Sequence, residues 1–481
     1  MRTRHVTAWR ACAGYNLLAD KTLIAMYRFG TLHHSFAAAW LGMLVITAPV
    51  MAVAGANLNV VPAPQFTHPF TLVELTDMAL SYNPQTKLAW AEIRSSQAGV
   101  ELAKAGYWPQ ISASYSITRS RTVNFSGASN SAQTRFEPSL SLSYLLWDFG
   151  SRSGTLDAAK YALLGAELSN SQTLQDVILA VQQDYYQVLG LQALEAADEL
   201  SVKDAQASLD VARENRKSGL ATVGDLYQAE AALAGTQLAL QQTQGSLAVA
   251  QGTMAVEVGF PANTQLMLAP WNQNITPQMP NQTVESLLAQ AREARPELLA
   301  SKASEQEAIA NLEATKGRGL PTLTLAADAG QTRTVGGGAS QTADNYSAGL
   351  TLSIPLFAGF GDEAANNQAQ AAVDVSQATT AQLQQQVELE VWQAYQNLHT
   401  AMVTLTTTAV QLKSAQQALD VELARYHIGL DPILNLLTAQ ATLASARAQQ
   451  VQARLNWFTA LAALGEAVGG LNAPKAEAEL P

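Results

Sequence analysis

The chain has 481 residues and a formal net charge of -11, with 14% charged and 7% aromatic residues against 48% hydrophobic ones. That acidic balance makes nucleic acid and anionic lipid surfaces poor partners. Ala, Gln, Ser and Thr fill the remainder, a composition suited to long helices or polar-faced strands.

The N-terminus reads as an export signal over residues 1–54. Arg2, Arg4, Arg10, Lys21 and Arg28 precede an apolar run over 36–50, and small residues follow at Ala52, Ala54 and Ala56. Cleavage is expected after Ala54 or Ala56. The stretch before the run is long, so Met26 is an alternative start, and a transmembrane anchor is the competing reading of the run. Cys12, the only cysteine, lies inside this segment and follows Arg10-Ala11 rather than an apolar run, which argues against lipid attachment.

Two units of like punctuation follow, over 57–270 and 284–470, before a tail at 471–481. Asn83-Pro84 and Pro109 recur as Arg295-Pro296 and Pro321 after 212 residues. Trp147, Tyr185, Gly219-Leu220, Leu226 and Val258-Gly259 likewise recur as Phe357, Tyr395, Gly429-Leu430, Leu436 and Val468-Gly469, at an offset shorter by two. Such a slip belongs in a loop between Pro109 and Trp147, and between Pro321 and Phe357.

Those intervals read as strand pairs, at about 109–120 and 135–147, then about 321–333 and 346–357. Ile111, Ala113, Tyr115 and Ile117 alternate with Ser112, Ser114, Ser116 and Thr118; Leu140, Leu142, Tyr144 and Leu146 alternate with Ser139, Ser141 and Ser143. Leu323, Leu325, Leu350, Leu352 and Ile354 alternate with Thr322, Thr324, Thr351 and Ser353. Gly/Ser/Asn-rich stretches at 126–131 and 336–345 suit turns. One apolar face and one hydroxyl face match the lipid-out, lumen-in pattern of a membrane β-barrel. Tyr107, Trp108, Trp147, Phe149, Phe357 and Phe360 stand where an interfacial aromatic girdle would lie. Four strands cannot close a barrel, so several chains must pool theirs.

The rest is helical. Val181, Val188, Val202 and Leu209 keep a seven-residue register broken only by Glu195, and Val391, Leu398, Leu405, Leu412 and Leu419 keep it without a break. The returning segments carry Leu226, Leu233, Leu240, Leu247 and Met254, and Leu436, Leu443, Trp457 and Leu464, with Gln450 the exception. Helices of about 60 residues would reach about 90 Å. Gly219 and Gly429 suit the left-handed position after a helix end, giving tips at about 219–225 and 429–435. Thr222 with Asp225, and Asp431 before Pro432, read as restart signals for the next helix.

With both tips in view, the chain resembles the TolC family of outer-membrane efflux proteins. The family's tip signature stands here twice, as Gly219-Leu220-Ala221-Thr222-Val223-Gly224-Asp225-Leu226 and as Gly429-Leu430-Asp431-Pro432-Ile433-Leu434-Asn435-Leu436. The resemblance implies an α+β membrane protein, a duplicated strand hairpin plus long helical hairpin. Three copies would form a 12-stranded outer-membrane barrel continued by a periplasmic α-helical barrel. It implies a passive duct, with a periplasmic adaptor and an inner-membrane pump as partners alongside outer-membrane lipid. Matching positions nominate Gly219, Leu220, Thr222, Asp225, Gly429 and Leu430 as adaptor contacts, with helix capping and turn geometry as their alternative reading. They nominate Tyr426, Asp431, Asn435 and Thr438 as aperture residues, with core packing as an equal reading of Tyr426, which continues the series after Leu419. Asp431 stands where the family has an arginine, and Asn435 and Thr438 where it has an acidic entrance ring, which puts a familiar salt-bridge lock in doubt.

Catalytic, metal and cofactor sites are not expected. Beyond the leader only His68, His399 and His427 remain, without paired ligand spacing. Gly336-Gly337-Gly338 lacks the Lys-Ser/Thr and helix start of a phosphate cradle. A duct for type I protein secretion, and a structural envelope coiled coil with no channel, are the alternative functions.

Overall fold

The computed structural model describes residues 68–121, 131–269, 279–280, 282–336 and 339–470. The expected leader, Cys12, most of the 126–131 turn and the 471–481 tail lie outside them.

The first unit opens with α1 (Leu72–Tyr82) and α2 (Pro84–Ala105). Thr71 caps α1 in a reciprocal box with Glu74, and Asn83 ends one helix and caps the next, with Pro84 in the first turn where its missing N–H costs nothing. Strands β1 (Gln110–Ser120) and β2 (Gln133–Trp147) come next, then α3 (Ser151–Lys217) and α4 (Val223–Glu257). The second unit repeats the order as α5 (Val284–Ala294), α6 (Pro296–Arg318), β3 (Thr322–Gly336), β4 (Ala339–Ser353), α7 (Gly361–His427) and α8 (Ile433–Ala467). Helices α3 and α7 have 67 residues each, about 100 Å, while α4 and α8 have 35. Each long helix therefore needs two partners end to end. In the half nearer the strands α3 packs on α2 and α6; in the half nearer the tips it packs on α4 and α8. Helix α7 packs on α6 and then α8, so α8 lies between the two long helices and α4 at an edge.

That order separates the two returning helices within one chain. Leu436, Leu443, Trp457 and Leu464 are buried along α8, while Leu226, Leu233, Leu240 and Leu247 along α4 are half-buried in the single chain, where α4 has a neighbour on one side. Elsewhere Val181, Val188, Val391 and Leu398 are fully enclosed and Leu209, Leu405 and Leu419 are buried, while Val202 and Leu412 of the same series are half-buried.

The strands form one antiparallel sheet in the order β1-β2-β3-β4. Ile111 faces Leu142, Leu142 faces Ala327, and Leu323 faces Leu352, so the apolar sets share one face. On the other face Ser112 meets Ser141 and Ser114 meets Ser139, each pair at 2.7 Å between hydroxyls. A register shift between Leu145 and Trp147 brings Trp147 opposite Leu323, onto the apolar side.

The second hairpin departs from its expected limits. Strand β3 runs on to Gly336, and β4 starts at Ala339 rather than near 346, so the 336–345 stretch is mostly strand. Its polar residues pair across the ladder instead of turning: Gln331 donates to Asp344 at 2.8 Å and Asn345 to Thr332 at 3.1 Å. At the other end β4 stops at Ser353, because Pro355 has no N–H to continue the ladder.

No described helix is long and apolar enough to cross a membrane. The sheet's apolar face is exposed instead, with Ile111, Tyr115, Leu350 and Leu352 each at least 59% accessible.

Candidate functional site: helical tips, seams and barrel junction

Both long helices end in the same hydrogen-bonded turn. Gly219 (φ +77°) donates to the Arg216 carbonyl and Leu220 to that of Asn215; Gly429 (φ +74°) donates to Tyr426 and Leu430 to Arg425. These paired bonds satisfy the last carbonyls and require the left-handed backbone that glycine adopts freely.

The restarts differ. Thr222 caps α4 as expected: its N–H donates to Asp225 at 2.7 Å, and the Asp225 N–H returns to the Thr222 hydroxyl at 3.2 Å. Asp431, expected to mark the start of α8, does not cap it. Pro432 holds the cap position without a side-chain bond, and the Asp431 carboxylate is taken by Arg425 of the same tip. Hydrogen bonding to Arg425 holds the Asp431 carboxyl below the usual range. The guanidinium competes better than a backbone N–H because it offers a charged, forked pair of donors.

Tyr426 is 4% exposed, within a cluster containing Leu209, Ala212, Leu419, Ile433 and Leu436. Burial, with the Asp225 charge second, pushes its phenol above the ordinary value. Its carbonyl accepts from the buried Asn215 side chain at 3.0 Å. Leu220 lies over Gly429, 3.7 Å from the point where a β-carbon would stand, so the two tips lean on each other. Asn435 and Thr438 are exposed, the Thr438 hydroxyl bonded to the Leu434 carbonyl one turn back. Exposed Leu220, Val223, Ile428, Leu430 and Leu434 give the end of the molecule an apolar cap.

Above the tips Arg447 of α8 donates to Asp204 of α3 at 2.8 Å and to Gln416 of α7 at 3.4 Å, joining both long helices. Further along lie the two seams where the short helices break. A β-carbon on Gly259 (φ +96°) would stand 2.7 Å from the Tyr82 carbonyl carbon, and one on Gly469 (φ +71°) 2.8 Å from that of Ala294. The first seam is closed by Asn83, which donates to the Glu257 carbonyl at 2.7 Å. In the second, Arg295 takes the matching place, nearly buried and ion-paired to Glu297, Glu390 and Glu466. Burial, opposed by Arg295, leaves the Glu466 carboxyl raised, and burial raises Asp176 nearby.

At the strand end Arg152 is the organising residue. It pairs with Asp148 at 3.1 Å, donates to the carbonyls of Leu145, Leu146 and Gly106, and lies 4.9 Å from the Tyr107 ring centre. One guanidinium thus fastens α2, β2 and α3. Beside it α3 crosses α6 backbone on backbone: a β-carbon on Gly154 would meet the Ala314 nitrogen at 2.5 Å, and one on Gly317 the Ser151 nitrogen at 2.6 Å. The girdle aromatics Trp108, Trp147, Phe149, Phe357 and Phe360 are all more than half exposed, and Phe149 and Phe360 hold positive φ at the turns into α3 and α7.

Sequence reasoning passes over Asn215, Arg425, Arg152 and Arg295. Asn215 carries a readable signal, a polar residue extending the buried Leu209, Ala212 series. Arg295 stands where the first repeat has Asn83, but its three carboxylate partners are spread over α6, α7 and α8. Among the described residues no three His, Cys, Asp or Glu converge as metal ligands.

A family model described as "Outer membrane efflux protein" matches residues 75–259 and again 287–470, the two structural units. Protein CyaE of Bordetella pertussis is 31% identical over 408 residues, 82% of this chain and 84% of that protein. The outer membrane efflux protein BepC of Brucella suis is 28% identical over 84% of this chain and 86% of its own length. The solved outer-membrane channel OprN superposes with a TM-score of 0.74 at 22% identity, covering 84% of this chain and 91% of its own. The chain belongs to the outer membrane efflux protein family, and its place is the outer membrane.

Proposed function

We propose that this outer-membrane efflux protein is a passive trimeric conduit that takes substrate from an inner-membrane pump, through a periplasmic adaptor, to the exterior. The observation that carries the reading is the open sheet. Its apolar face needs lipid, its serine and threonine face needs water, and its unpaired β1 and β4 edges cannot end in hydrocarbon. Three copies satisfy all of these together, placing twelve strands around a hydroxyl-lined lumen and leaving no role for a catalytic group.

The adaptor's contact is assigned to Gly219, Leu220, Thr222, Asp225, Gly429 and Leu430, with Tyr426, Asp431, Asn435 and Thr438 bordering the aperture. Support comes from the apolar cap formed by Leu220 and Leu430, which a solvent-facing turn would not need. Asn215 and Leu220 tie the two tips of a protomer, so they meet a partner as one body. The test is Gly219→Ala with Gly429→Ala. Both added methyl groups have room, so the cost is confined to the left-handed backbone, about 1 kcal/mol each. Trimer yield and bilayer conductance should be retained while adaptor crosslinking and export fall. Unchanged export at normal trimer levels would reduce the tips to turns; export of an unfolded polypeptide instead of small solutes would identify a secretion duct.

A further inference from the structure

The sheet's apolar face is not apolar to its end. Arg119 of β1 faces Thr134, and Arg333 of β3 faces Phe136, so both belong to the row set of Ile111, Tyr115, Leu140 and Leu325 rather than to the serine face. Both side chains are exposed. Their height follows from strand geometry. From Leu323, beside the inner girdle residue Trp147, to Arg333 is about 33 Å of strand, or about 25 Å along the membrane normal at a tilt of about 40°. That is about the full height of an outer-membrane apolar band. Tyr115 and Tyr346, 63% and 89% exposed, stand on the same face four residues short of the arginines, about 10 Å lower along the normal and within the outer half of the band. Arg119 and Arg333 therefore sit at the level of the outer headgroups, about 12 Å apart across β2 by strand spacing and rise.

We propose that Arg119 and Arg333 form a binding site on the outer wall of the barrel for the phosphate groups of an outer-leaflet phosphorylated glycolipid. The inference rests on the outer-membrane barrel reading. A guanidinium presents a planar fork that matches phosphate oxygens, and its weak hydration makes it the suitable cation at a lipid interface. Asp344 is on the same face diagonal to Arg333; its carboxylate accepts from the neutral Gln331 amide and forms no ion pair with either arginine, so it stays a nearby negative charge that the two guanidinium groups outweigh. Arg135, by contrast, is on the serine face, 3.6 Å from Glu137. The chain's net charge of -11 does not decide the matter, because screening confines electrostatic attraction to groups within about 10 Å.

The test is native mass spectrometry of the detergent-solubilised full chain titrated with a bisphosphorylated acylated glucosamine disaccharide, alongside its dephosphorylated form and inorganic phosphate. The phosphorylated lipid should be retained at least fivefold over the dephosphorylated one, and Arg119→Gln with Arg333→Gln should abolish that preference. Arg119→Lys with Arg333→Lys should keep part of it, and Arg135→Gln all of it. Equal retention of the two lipids, or an unchanged preference in the glutamine variant, overturns the site. Full competition by millimolar inorganic phosphate overturns the lipid as its source. Bilayer conductance separates the two failures: a glutamine variant that conducts normally while the preference persists removes this site alone, whereas a wild-type chain that never inserts removes the barrel reading with it.

Discussion

The two repeats share a backbone frame and differ in how it is fastened. In the first, the fastening lies at the strand end, where Arg152 holds α2, β2 and α3 together. The place of Arg152 in the second repeat falls to Asp362, and residues 353–364 are exposed throughout. At the seams the weighting reverses, with a neutral Asn83 in the first repeat and the ion-paired Arg295 in the second. At the tips the matching residues Asn215 and Arg425 take opposite tasks, one buried against the other tip and one exposed and stapling its own. Glycine and proline positions set the path of the chain and recur; polar contacts depend on which neighbour each repeat has, and do not.

The comparison is sharpened most by asking whether contact between repeats within a chain is reproduced between chains. Inside the chain Leu140 faces Ala329. Carrying both through the duplication puts Leu350 of β4 against Ile117 of a second copy, apolar face to apolar face. Leu350→Cys with Ile117→Cys should therefore give near-complete intermolecular disulfide on oxidation, read as a covalent trimer on denaturing gels. Crosslinking only from a position shifted by one residue would break the equivalence.

The seams should differ next most. Arg295→Ala leaves Glu297, Glu390 and Glu466 without their cation, and should lower stability by about 3–5 kcal/mol. Asn83→Ala loses a helix cap and one long-range bond, about 1–2 kcal/mol. Urea midpoints of the helical signal measure both, and equal losses would mean that the seams are interchangeable.

At the tips Asn215→Ala should cost about 1 kcal/mol, through its lost bond to the Tyr426 carbonyl. Arg425→Ala should lower the urea midpoint by less than Asn215→Ala does, because the guanidinium is half-exposed, although the Asp431 side chain is largely covered.

A comparably small effect is a pH dependence in the first repeat. Burial, with the Glu257 charge second, raises the Asp184 carboxyl to about 6. The folded chain then holds a proton that the unfolded chain has released. Stability from this group is greatest below about pH 4 and falls as pH rises through about 6. Asp184→Asn should raise the melting temperature at pH 7.5 and not at pH 4. Partial exposure keeps the gain below about 1 kcal/mol.

How much of this is legible in the sequence follows the same division. Backbone demands are local, so Gly219, Gly429, Asn83-Pro84 and the Ser/Leu alternation can be read directly, and the strand faces agree with the observed register. The length of the second hairpin cannot, because Asp344 and Asn345 are turn-like in composition and strand-like only when paired with Gln331 and Thr332. Asp431 misleads for a related reason: a residue suited to capping is claimed by Arg425, and nothing in the sequence ranks the two acceptor roles. The leucines of α4 are half-exposed because α4 lies at the edge of the single chain, and their heptad spacing calls for a covering helix that only a second copy supplies.

The backbone-on-backbone crossing at Gly154 and Gly317 has a consequence for assembly. Its counterpart between copies would bring Ala364 of α7 against Ala105 of α2, both carrying the methyl groups that the glycines lack. A covalently joined pair of repeats has a high effective concentration for its own crossing, so that contact can demand a tight fit without slowing recruitment. The intermolecular crossing must instead form by encounter, and a wider, more tolerant approach suits it. Joining the repeats in one chain also reduces the number of bimolecular encounters needed to close the ring, so fusion lets half of its joints be built for rigidity and half for capture.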